Sequence, residues 1–373
     1  MTTLSQLLTS SSRVADPGEG IGPDELRLAA RNHAMPLEAL RYDLTPPGLH
    51  YLLVHYDIPQ VDEATYRLSV NGMVERPVEL DLPTLRAMPA RTVAVTLECA
   101  GNGRARMHPR PVSQPWLDEA VGTAEWTGTP LAPVLREAGL RDGATEVVLT
   151  GADHGMEFGH EQDYARALPL GEALGDDVLL AHTMNGQPLL PQHGAPLRVI
   201  VPGWYGMTHV KWLEEIRVIE GVFDGFHNAS AYRFKQTADD VGEPVTRIAP
   251  RALMVPPGFP DFMSRTRVVD VGPHELGGRA WSGWAPVERV QVSTDDGATW
   301  SDAHLDEPVG RWAWRGWRWT WHADEPGAYA LRVRADDAAG NHQPLEHEWN
   351  RQGMSNTSAQ RVAVVVRRQS KVS

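Results

Sequence analysis

The sequence predicts an α+β protein: a mixed α/β domain followed by an immunoglobulin-like β-sandwich. Three observations predict it. The middle of the chain alternates strand-like runs with a well-punctuated helix. Beyond the Pro-rich connector MVPPGFPDF only strand signals remain, at the spacing of a sandwich. And 34 Gly and 29 Pro in 373 residues interrupt helices too often for a bundle. A chain of this length exceeds one ordinary core. The expected division is an N-terminal extension over 1–44, a first domain over 45–243 and the sandwich over 244–373.

The elements follow in order. Residues 1 to 24 show little periodicity, and 23–40 has helical character interrupted by Pro36. Residues 51–56 read as a strand, and 65–70 as a second strand turning at Asn71-Gly72. The β-branched run 92–97 (TVAVTL) leads straight into Glu98-Cys99-Ala100-Gly101-Asn102-Gly103. Residues 129–139 read as a short helix. Thr129 caps it, Pro130 suits its first position, Leu131, Val134, Leu135 and Ala138 share a face, and Gly139 ends it. Strands are expected again at 146–150, 178–181 and 197–201.

In the C-terminal part, Val290, Val292 and Thr294 alternate ahead of the tight turn Asp296-Gly297. Tyr329, Leu331, Val333 and Ala335 alternate with Arg332 and Arg334 on the opposite face. Trp312 and Trp314 share one parity, and Trp317, Trp319 and Trp321 the other, with the phase slipping at Gly316. Such a set suits either a carbohydrate-binding platform or a core and interface. The reading taken is core and interface.

The formal net charge of −13 argues against general nucleic-acid binding, which needs a basic surface. Any anion site has to be built locally. With one cysteine, no intrachain disulfide forms and nothing points to an oxidising compartment. The first residues carry no basic and apolar leader pattern, and no apolar run is long enough to span a bilayer. The expectation is a cytoplasmic protein that binds neither nucleic acid nor membrane.

Cys99 carries the chemical interest. A lone cysteine is commonly a small buried hydrophobe. This one follows a strand, lies beside Gly101 and Gly103, and precedes Arg104 and Arg106, whose cations favour thiolate. A thiolate is a nucleophile or a ligand for a soft metal. With 15 His available, a cysteine-nucleophile hydrolase stays open. A closed zinc site has no CxxC or HExxH to support it.

TLECAGNGR resembles the metal-binding motif of the sulfite oxidase family, which holds molybdenum through one pterin dithiolene and one cysteine. HGAPLRVIVPGWYGMTHVKWLEEI at 193–216 resembles the same family's pterin-binding segment, in the family's order and at about its spacing. GRAWSGWAPVERVQVSTDDGATW at 278–300 and WNRQGMSN at 349–356 resemble its dimerisation domain. The resemblance implies a molybdenum oxidoreductase carrying molybdopterin and acting on a small molecule. It implies a homodimer, with Cys99 as the ligand to the metal. It further implies cofactor contacts from His55, Asp153, His193, Arg198, His209, Val210 and Lys211.

The chain also departs from the family pattern. Where sulfite oxidases place an arginine two residues before the His matched by His55, Leu53 stands. The family's active-site tyrosine is matched to His182, and a second substrate arginine to Gln352, while Arg104 is kept. Arg104 and His182 are therefore the expected catalytic partners of Cys99, with Leu53 and Gln352 in the substrate pocket. An Arg31-Asn32-His33 triplet occurs, but upstream of the aligned position. Sulfite oxidation is the family default. The changed pocket makes another small sulfur or nitrogen oxo compound the alternative, in either redox direction, and a non-catalytic binding protein a further one. No haem attachment motif, iron–sulfur cysteine cluster or flavin fingerprint is visible, so electrons are expected to pass to or from a separate protein.

Overall fold

In a computed structural model, the described residues are 13–157 and 159–368. Helix α1 (Pro23–Arg31) places Asp24 and Glu25 in its first turn and Arg31 in its last, as the helix dipole favours. A 3-10 turn, Leu37–Arg41, follows Pro36. The proline interrupts the helical run as expected.

The first domain runs through β1 (Leu68–Gly72), β2 (Val78–Leu80), α2 (Leu82–Ala87), β3 (Arg91–Glu98), β4 (Val121–Pro130), α3 (Leu131–Ala138), β5 (Glu146–Glu157), β6 (His160–Pro169), β7 (Leu179–Met184), β8 (Gln187–Pro188), β9 (Arg198–Ile200) and β10 (Leu213–Ile219). One sheet has the order β2-β1-β10-β5-β6, with only β1 and β10 parallel. The other has the order β3-β4-β7-β8, with β9 on β7. A core including Leu68, Leu135, Leu149, Val199 and Ile216 lies between them.

Three local expectations change. Asn71 and Gly72 belong to β1 itself and pair with β10, because the Asn71 side chain is held by Ser69 and Glu215. Residues 51–56 form no ladder; Leu52 only bridges His33. Thr129 does not cap α3, since its hydroxyl donates instead to Leu85 O, 2.9 Å away. Gly139 does end α3, at φ 79°, where glycine has no Cβ penalty.

A ribbon, β11 (Arg233–Phe234) and β12 (Glu243–Pro244), leads to the second domain. There β13 (Arg251–Met254), β14 (Phe259–Pro260), β15 (Arg267–Asp270), β16 (Gly272–Trp281), β17 (Val287–Ser293), β18 (Ser301–Asp302), β19 (His304–Leu305), β20 (Arg315–Ala323), β21 (Gly327–Asp337) and β22 (Gln360–Arg367) build the sandwich. Its sheets are β13-β16-β20-β19 and β14-β15-β22-β21-β17-β18. Leu331, Val333 and Ala335 fill the core with Trp317 and Trp321. Trp281 and Trp314 pack with Met35, Tyr205 and Tyr232 at the junction with the first domain. The core reading of the tryptophans fits these positions. Gly316 makes no bulge inside β20, whose pairing with β16 runs without a break.

Candidate functional site

Strand β3 ends at Glu98, and the Cys99 amide makes one more bond, to Ala120 O at 2.9 Å. The chain then turns, with Asn102 N donating to Cys99 O at 2.9 Å. Cys99 is thus the first residue beyond the ladder. It lines a cavity of about 640 Å³, counting the open mouth. Burial pushes its thiol pKa up, while Arg104, the Gly101 amide and Trp116 oppose that shift.

Leu53, His55, Cys99, Asp153, His193, Arg198, His209 and Lys211 all line this cavity. They come from stretches far apart in sequence. His55 Nε2 lies 2.6 Å from the Tyr232 hydroxyl. Burial holds His55 down at about 3 and Tyr232 well above its usual range, so both are neutral near pH 7 and a single proton serves the contact. His193 is likewise pulled down to about 3 by burial, then by His50, Arg198 and Lys211.

Arg198 opens β9. It donates to His193 O at 3.0 Å and His209 O at 3.1 Å, and its guanidinium carbon lies 4.8 Å from the Trp126 ring centroid. Burial lowers it only to about 10, so it stays charged. Lys211 Nζ donates to Leu53 O at 2.7 Å and packs over Trp212. Burial pushes Lys211 down and Asp153 up, and each opposes the other's shift. Gly151 makes room for this arrangement: a Cβ there would meet Lys211 O at 2.5 Å and Asp153 Oδ1 at 2.7 Å.

Four expected site residues do not line the cavity. Val210 is core, and its amide and carbonyl are used by Thr208 and Val199. His182 sits where the β4–β7 register shifts and goes unpaired between Ala181 and Thr183. Its half-buried ring feels Arg86 and lies outside the lining. The cavity's phenols come instead from Tyr51, Tyr164 and Tyr232. Gln352 donates to Ser230 O at 3.0 Å and accepts from Arg233 N at 3.3 Å, so its amide is tied to the backbone at the start of β11. Arg104 is buried but points at protein: Nε donates to Gln352 O, Nη1 to Gln114 O, and Nη2 lies 3.6 Å from Met354 Sδ. His209 lines the cavity with its ring already engaged. Nδ1 accepts from Val201 N and Nε2 donates to Trp204 O.

Sequence reasoning missed Tyr232, Tyr164 and Met207, which also line the cavity. It missed His50 and Tyr51 as well, although both lie close to His55 in the sequence. The Arg31–His33 triplet does return to this region. The Asn32 side chain accepts from Val54 N at 2.8 Å, and His33 pairs with Leu52. Arg31 itself stays outside, on Tyr56 O and Asp57.

Residues 55–227 match the oxidoreductase molybdopterin binding domain, and 262–367 match the Mo-co oxidoreductase dimerisation domain. Sulfite oxidase of Gallus gallus is 35% identical over 333 residues, covering 84% of this chain and 72% of that one. The chain belongs to the sulfite oxidase family of molybdopterin oxidoreductases. A nitrate reductase [NADH] of Oryza sativa is 31% identical over 382 residues, and mitochondrial sulfite oxidase of Rattus norvegicus 33% over 345. These alignments cover 92% and 87% of this chain but span only 41% and 62% of those relatives. The sulfane dehydrogenase SoxCD structure from Paracoccus pantotrophus superposes with a TM-score of 0.78 at 23% identity, covering 95% of this chain and 93% of that one. That likeness establishes the sulfite oxidase-like fold.

Proposed function

We propose that this chain is a molybdenum–pterin oxidoreductase that transfers an oxygen atom to or from a small, weakly charged substrate. The observation that carries the reading is convergence: Cys99 of the first family-like motif and His193, Arg198, His209 and Lys211 of the second face a common cavity. The residues fit the group. Among the described residues, Asp153 Oδ1 and Arg198 Nε are buried without a hydrogen-bond partner, and such atoms are costly unless a ligand pairs with them. An acidic acceptor with a cationic donor suits a pterin ring and a phosphate. Cys99 supplies the soft thiolate.

On this reading Cys99 ligates the metal. Asp153, His55 and His193 hold the pterin, while Arg198 and Lys211 hold its phosphate end. His209 acts one step back, by fixing the backbone that presents Arg198. When bound, the molybdenum group supplies oxygen-atom transfer coupled to two electrons. The chain's own residues orient the substrate and exclude water. The His55–Tyr232 pair keeps a proton available at the cavity wall.

The substrate side of the cavity bears on charge. Leu53, Leu97, Ala100 and Met207 give it an apolar wall. Neither Arg104 nor Gln352 turns toward it. A dianion such as sulfite would lose its water there with little in return, so a less charged sulfur or nitrogen oxo compound is the favoured substrate over the family default. Electrons pass to or from a separate protein, and the chain works as a homodimer. The test is metal analysis of purified protein, followed by a substrate screen with artificial donors and acceptors. Near-stoichiometric molybdenum or tungsten is expected. Protein that binds neither metal and yet turns over a substrate would contradict the proposal.

A further inference from the structure

Glu98, the residue before Cys99, is only 1% exposed. Its carboxylate accepts from Arg251 Nη1 at 2.9 Å, Trp281 Nε1 at 2.7 Å and Asn102 Nδ2 at 2.9 Å. Arg251 opens β13 and Trp281 closes β16, so two of these donors come from the sandwich. Arg251 Nη2 reaches Asp118 Oδ1 at 3.0 Å, and Arg106 holds the other Asp118 oxygen at 2.6 Å. The opposite side of the turn is gripped by the segment ahead of β22. Ser355 N donates to Ala100 O at 2.6 Å, and Asn356 Nδ2 to Gly103 O at 2.8 Å. Arg251 Nη1 also donates to Asn356 O at 2.8 Å, so the two grips meet at one guanidinium.

Burying such charges is costly, and a pair of this kind rarely adds net stability over apolar packing. What it fixes here is position. Within the turn from 98 to 103, Glu98, Ala100 and Gly103 are bonded directly to the second domain, and Asn102 to Asp118 O. Outer partners of this kind orient a ligand and tune its donor strength.

We propose that Arg251 is a positioning residue for Cys99, through which the sandwich sets the turn that presents the thiol. The second domain is then part of the framework of the metal site. This rests on the reading of Cys99 as the ligand.

Cys99 is the chain's one cysteine, so thiol labelling reports on this turn alone. Metal-free wild type, Arg251→Lys and the charge-free combination Arg251→Met, Glu98→Gln, Asp118→Asn are labelled under native conditions. Both variants are expected to label at least about ten-fold faster than wild type while melting cooperatively. In molybdenum-loaded protein the thiolate-to-metal absorption band shifts, and kcat falls about 10–100-fold with KM nearly unchanged. A folded variant with wild-type labelling and a wild-type band overturns the proposal. Wild-type protein alone gives an independent check. In rising urea, Cys99 labelling and exchange of the slow β21 and β22 amides are expected to open together. Labelling that opens while those strands stay protected also overturns it. Loaded Cys99→Ser protein that kept the wild-type band would instead defeat the ligand reading, and would leave the labelling result standing.

Discussion

At Cys99 the structure brings together a soft donor and a cavity where two buried polar atoms, Asp153 Oδ1 and Arg198 Nε, have no hydrogen-bond partner among the described residues. Replacing the thiol by a hydroxyl removes the thiolate while leaving the packing almost unchanged. Cys99→Ser is therefore expected to stay folded, lose turnover and shift the metal absorption; full activity would refute the assignment. His209 allows a pH prediction. Burial holds it at about 3, below the ordinary 6.5, so the unfolded chain takes up its proton first as pH falls. The stability tied to neutral His209 is complete above about pH 6.5 and is lost progressively toward pH 3. His209→Ala, which strands the Val201 amide, should cost about 1–3 kcal/mol at pH 7. The gap from wild type should narrow by pH 4 in urea titrations, and a constant gap would contradict this. At Leu53, wild type is expected to oxidise sulfite weakly, with a high KM that falls in Leu53→Arg. Efficient wild-type turnover at micromolar sulfite would show that the wall is less apolar in action than in structure. The sequence exposed Cys99, His55 and Arg198 because local runs carry them. It hid Tyr232, which enters from beyond β10; His182, matched only by the likeness of its run, sits at a register shift outside the cavity lining.

Single elements show where local pattern was enough and where tertiary contacts decided. The strand over 92–97 was legible from its β-branched run, and the alternation at 329–335 because burial on one side enforces a period of two. Residues 51–56 have strand-like composition, but their polar groups serve the cavity, as when Leu53 O accepts Lys211, and no ladder forms. Thr129 suited a cap by type and was claimed by a distant carbonyl. The tryptophans give this scale its test. Trp314 is fully buried and donates to Asp43 O at 2.7 Å, whereas Trp284 is 53% exposed. Trp314→Ala should cost about 3–5 kcal/mol, and Trp284→Ala no more than about 0.5 kcal/mol, by chemical denaturation. Equal small losses would revive the sugar-platform reading.

Across the whole molecule the two domains share a buried junction, and the outer hairpin β14–β15 leaves Phe259, Phe262 and Met263 exposed. Exposed apolar side chains in such a group suit association. Full-length protein is expected to sediment as a dimer at micromolar concentration, and Phe262→Asp to weaken it; a monomeric wild type would refute this. Protein shortened to end near Gly242 should aggregate, since Glu98 and Asp118 would lose Arg251. The grip of Asn356 on Gly103 spans 253 residues, and that separation sets a timetable for biosynthesis. At about 5–20 residues per second, a ribosome needs on the order of tens of seconds between making the two ends of that bond. The cysteine turn therefore leaves the ribosome long before its clamp exists. A pterin insertion system that requires the finished turn has to wait for the sandwich, and nascent chains stalled before residue 350 should be unable to take up the cofactor.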